Sequence, residues 1–132
     1  MSLGFSYTPV AGTPVYDVTA TDFTDSSLPR TYLSEAAYES SANGTTILSG
    51  PAYQQKYVWV VSCHMTPAKA QEVDAMFRAW DADRSNGYAA AIGVVDETFG
   101  AQVSTSALFS TPPSYAYVSP TITLVSFGLT EV

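Results

Sequence analysis

Residues 57–80 read YVWVVSCHMTPAKAQEVDAMFRAW. The first part alternates. Tyr57, Trp59, Val61 and Cys63 fall on one face of an extended chain, and Val58, Val60, Ser62 and His64 on the other. Side chains of a strand point alternately to its two sides, so this is a β-strand. Both faces carry apolar residues, which places the strand centrally in a sheet. The pattern then changes. Thr66 suits a helix N-cap and Pro67 the first helical position. Ala70, Val73, Met76, Phe77 and Trp80 recur every three or four residues and form one apolar stripe. Asp74 and Arg78 make an i,i+4 pair on another part of that surface. The spacing predicts a helix over about 67–82.

The next residues, WDADRSNGY from Trp80 to Tyr88, begin like a calcium loop, with oxygen ligands at Asp81, Asp83 and Ser85. A loop of the EF-hand type also needs Gly at position six and a bidentate Glu at position twelve. Those positions hold Asn86 and Ile92. The stretch therefore reads as a helix end, with Gly87 letting the chain reverse. Asp81 and Asp83 sit poorly beside the negative end of the helix dipole, which Arg84 only partly offsets. Asp83 reads as a surface acid whose loss changes stability little.

Strand patterns lie on both sides of the helix. YAAAIGVVD and AQVSTSALFST follow it, with ETFG as the turn between them. Asp96 and Glu97 belong to that turn, where acidic residues remain hydrated. Pro112-Pro113 breaks the pattern, and AYVSP and TITLVSFGLTEV close the chain. Before residue 57, Asn43-Gly44 tolerates positive φ at both turn centres, so residues 34–50 read as a projecting hairpin. Pro9, Pro14 and Pro29 interrupt the first thirty residues. An extended N-terminal arm over about 1–15 is expected, then one early strand in PVYDVTA. The order of strands, one helix and more strands predicts a single mainly-β domain over 1–132. Its expected form is an antiparallel β-sandwich or barrel with one packed α-helix.

Composition narrows the function. The 132 residues are 46% apolar and 13% charged, enough apolar material for one core. Five Lys and Arg face twelve Asp and Glu, a net charge of −7. Phosphate binding and attachment to anionic membranes both need clustered bases, and no run is long enough to span a bilayer. The N-terminus lacks the basic and apolar regions of a signal peptide. The NGT sequence at Asn43 matches a glycosylation acceptor but reads as a turn. One cysteine permits no intrachain disulfide.

Catalytic sets are sparse. Cys63 and His64 are neighbours on a strand and point to opposite faces, so they do not pair as nucleophile and base. The other clustered acids are Asp22/Asp25 and Glu35/Glu39. No phosphate-binding glycine loop or zinc-ligand spacing occurs. No enzyme, cofactor or metal is expected.

From Tyr57 onward the layout resembles the small tail proteins of tailed bacteriophages: tail-tube, distal-tail and minor tail-tip proteins with a tube-type β-barrel or sandwich. The residues that carry the likeness are YVWVVSCHMTPAKAQEVDAMFRAW, the glycine-containing link DADRSNG, YAAAIGVVDETFG and the final TITLVSFGLTEV. The resemblance implies a structural virion protein, made in the host bacterial cytoplasm. It implies self-association into a ring, hexameric or trimeric, contact with neighbouring tail proteins, and DNA passing through without specific binding. An acidic lumen would repel phosphates. The hairpin would then serve assembly, with Tyr38, Ile47, Leu48 and Tyr53 at the interface. Two alternatives are a carbohydrate-binding β-sandwich and a phage head decoration protein. The sugar-binding reading requires Trp59 and Trp80 exposed on one flat face, whereas their positions in the strand and on the helix stripe suit a core.

Overall fold

The computed structural model describes residues 2–24, 29–32, 37–40, 42, 44, 46–49, 56–97 and 103–132. Ten strands and one helix are described, in the order β1 (Leu3–Tyr7), β2 (Tyr16–Ala20), β3 (Asp22–Phe23), β4 (Arg30–Tyr32), β5 (Ala37–Ser40), β6 (Thr46–Ser49), β7 (Tyr57–Met65), α1 (Pro67–Ser85), β8 (Ile92–Asp96), β9 (Val103–Ser119) and β10 (Ile122–Glu131). Eight of the strands form one antiparallel sheet in the order β2-β1-β8-β9-β10-β7-β3, with β4 also on β7. The sheet is not closed into a barrel. β5 and β6 pair only with each other.

β7 follows its alternation. Trp59, Val61, Cys63 and Met65 are buried. β10 lies on one side of β7, and β3 and β4 share the other. Its second face is more open than two apolar faces suggest, and Val60 is exposed. The helix docks through the predicted stripe: Ala70, Val73, Met76 and Trp80 are buried and Phe77 packs beside them. Thr66 caps the first turn, its Oγ1 accepting from the Lys69 amide at 3.4 Å. Ring contacts run in a line from the helix to β1. Phe77 and Trp80 each meet Phe109 at 5.3 Å, Phe109 meets Phe127 at 5.7 Å, and Phe127 meets Phe5 at 5.1 Å. Edge-to-face pairs of this kind add about 0.5–1.5 kcal/mol each beyond their buried area.

Three expectations are corrected. The first concerns the N-terminus. Leu3–Tyr7 is no arm but a strand inside the sheet, between β2 and β8, with Leu3, Phe5 and Tyr7 buried. The second concerns the helix, which runs to Ser85 and not to about 82. Arg84 pairs with Asp81, and the Ser85 hydroxyl donates to the Ala82 carbonyl. Gly87, at φ 89°, then supplies the reversal.

The third concerns Pro112-Pro113, which lie within one continuous strand. Pairing with β10 slips there: Ser126 faces Ser114, but Gly128 faces Thr111. Three steps on β9 thus oppose two on β10. A bulge of this kind absorbs prolines, which have no N–H to give a ladder. Gly128 is needed opposite it. A Cβ at that position would approach Ser110 Oγ and Thr111 Oγ1 to 3.0 Å.

Candidate functional site

The most constrained polar group lies at the end of β8. Ile92, Val94 and Asp96 occupy every second position of that strand, so the alternation that buries the first two also turns Asp96 inward. It is fully buried. This corrects the reading of Asp96 as a hydrated turn residue. Its Oδ2 accepts from Arg30 Nη1 at 2.6 Å and from Trp59 Nε1 at 2.9 Å. The Arg30 and Asp96 side chains are 3% and 1% exposed. Arg30 stands opposite Trp59 in the β4–β7 register. Its guanidinium lies 4.2 Å from the centre of the Tyr57 ring.

β8 and β7 are separated in the sheet by β9 and β10. Neighbouring strands stand about 4.8 Å apart, so these contacts cross roughly 14 Å of sheet. They are possible because the sheet curls and its inner side chains meet. The arrangement fixes that curl. It offers no reactive chemistry, because the carboxylate already serves a cation and an indole N–H.

A second carboxylate ties two distant segments together. Asp83, near the end of α1, accepts a hydrogen bond from the Tyr7 hydroxyl and another from the Val10 amide at 3.1 Å. Burial, and then the neighbouring carboxylate, push the Tyr7 phenol up to about 12. This is the use of WDADRSNGY. The stretch is helical through Ser85, Asp81 pairs with Arg84, and Asp83 holds the end of β1. Asp83 is therefore no bystander, contrary to its reading from sequence. No group of three metal-binding side chains occurs among the described residues.

A hollow of about 200 Å³ is lined by Thr19, Asp22, His64, Thr66, Lys69 and Thr121, among others. His64 Nδ1 stands 3.8 Å from Asp22 Oδ2, beyond hydrogen-bond range. Cys63 faces the other way and is buried. Burial pushes its thiol up to about 11, which keeps it a poor nucleophile at neutral pH. The two residues do not form a couple.

The expected assembly residues fall on the small ribbon. Tyr38 lies on β5, in register with Leu48 on β6, and Ile47 is in register with Glu39. Tyr53 lies outside the described residues. Arg30, Trp59 and Asp96 were not singled out as a group from the sequence. The one available signal was a charged residue in phase with Ile92 and Val94. No described helix is long and apolar enough to cross a membrane. No family model matches the chain, and no curated protein shows significant sequence similarity to it.

Proposed function

We propose that this protein is a structural component of a phage tail that assembles as a ring around the DNA path. The observation that carries the reading is the β5–β6 ribbon. It is inserted between two strands of the main sheet, β4 and β7, yet pairs with neither. A two-stranded hairpin alone is marginal in water and normally needs a surface to lie on. A neighbouring subunit or tail protein would supply that surface, with Tyr38, Ile47, Leu48 and Tyr53 in the contact. The bacteriophage-tail resemblance of the strand–helix–strand segment supports the same reading. So does the net charge of −7, which disfavours phosphate binding and suits a DNA conduit.

The sugar-binding alternative needed both tryptophans exposed on one face. Trp59 is fully buried and Trp80 is 4% exposed, so neither offers a stacking platform.

Electron microscopy of the concentrated protein tests the proposal. Rings or short tubes are the expected result. Deletion of Thr46–Ser49 should leave a folded protein, by circular dichroism and thermal melt, that no longer forms them. A shortened protein that still assembles would refute the hairpin's role. Decoration of capsid surfaces in place of rings would point to a head protein.

A further inference from the structure

From Thr98 to Thr130 the sequence holds no Asp, Glu, Lys, Arg or His. In a chain with seventeen Asp, Glu, Lys and Arg, this stretch supplies the whole of β9 and nearly all of β10. β8 covers the outer edge of β9 only from Val103 to Ala107. Beyond Ala107, β9 pairs with β10 alone among the described strands. Past the Pro112-Pro113 bulge, every residue from Ser114 to Val118 is exposed, and Tyr117 is 77% exposed.

Natural sheets blunt such edges with charge, proline or a covering element. The edge of β2 shows the usual protection, since the Asp17 amide there donates to Glu72 of the helix at 3.4 Å. β9 has prolines at 112, 113 and 120, and between them six residues with no guard.

We infer that the open edge of β9 from Ser114 to Ser119 pairs antiparallel with the same edge of a second copy of this chain, about a two-fold axis. Two observations select a copy as the occupant. A strand edge is self-complementary when paired antiparallel about a two-fold, so each copy supplies what the other lacks. Each copy also carries −7, and most other approaches bring acidic surfaces together. The charge-free hairpin lets two copies meet without that repulsion. Tyr115, Tyr117 and Val118 lose exposed apolar surface as they do so. The inference stands independently of the tail reading.

Sedimentation velocity on the full chain over a concentration series tests it, alongside two variants. The parent should pass from monomer to dimer. Val118→Lys places like charges beside each other across the axis and should weaken association about tenfold or more, with an unchanged thermal melt. Ala116→Cys, near the middle of the edge, should cross-link to itself under mild oxidation, while the buried Cys63 stays reduced. A parent that remains monomeric at high micromolar concentration overturns the inference. So does a Val118→Lys protein that associates as strongly as the parent. Association without the Ala116→Cys cross-link also overturns it, because the partner edge would then be a different one.

Discussion

Two neighbouring strands invert the usual distribution of charge. β8 ends in an aspartate sealed from water, and the far half of β9 exposes tyrosines and carries no charge at all. Each region is incomplete on its own. The Asp96 carboxylate needs a cation and finds Arg30, brought from the far side of the sheet. The exposed edge of β9 needs a strand, and none of the described strands supplies it. The difference lies in where the missing partner is found. Interior charge is satisfied within the chain because an unpaired buried ion is too costly to tolerate. An exposed apolar edge costs a monomer little, so its partner can come from outside.

The sharpest way to break this comparison is to remove the interior charge. Asp96→Ala leaves Arg30 buried without its carboxylate and should cost about 3–5 kcal/mol in denaturant unfolding. Replacing both partners, as in Arg30→Met with Asp96→Leu, should recover much of that loss, because a well-packed apolar pair needs no charge balance. If Asp96→Ala costs less than about 1 kcal/mol, the pair is hydrated in solution and the contrast with β9 disappears.

A smaller effect is expected at the helix end. Asp83→Ala removes the acceptor for Tyr7 and Val10 and should cost about 1–3 kcal/mol, the range for hydrogen bonds to a charged group. A change within about 0.5 kcal/mol would return Asp83 to the class of plain surface acids.

The same contact has a pH signature. The Tyr7 phenol is pushed up from its ordinary 10.0 to about 12, so the folded state holds its proton more tightly than the unfolded chain. Its contribution is therefore fully present below pH 10 and is lost as the pH rises towards 12. In a spectrophotometric tyrosine titration, Tyr7→Phe should delete a late-titrating group. Removal of an early one would contradict the clamp.

The smallest expected effect is none. Melts in calcium and in chelator should superimpose, since Asp81 and Asp83 are held by Arg84, Tyr7 and Val10. A rise of several degrees at saturating calcium would show a bound ion.

Much of the fold was legible where one local rule acted alone. The β7 alternation, the Thr66-Pro67 start, the helix stripe and the Gly87 reversal depend on residues close in sequence. Their physics is complete within a few turns or a single strand. β1 was legible in principle, since Leu3, Phe5 and Tyr7 alternate with Gly4 and Ser6. The surrounding prolines and hydroxyl residues masked that short run. Pro112-Pro113 misled because a bulge, available only when a partner strand is present, accommodates residues that would stop an isolated strand.

By itself the sequence determined a mainly-β, acidic chain with one amphipathic helix, because periodicity and composition are local properties. Only the tertiary structure decided which acids matter. Asp96 and Asp83 resemble any other surface aspartate until Arg30 and Tyr7 arrive, sixty-six and seventy-six positions away. A carboxylate's worth depends on its burial and on what faces it, and both are set by the curl of the sheet around the helix.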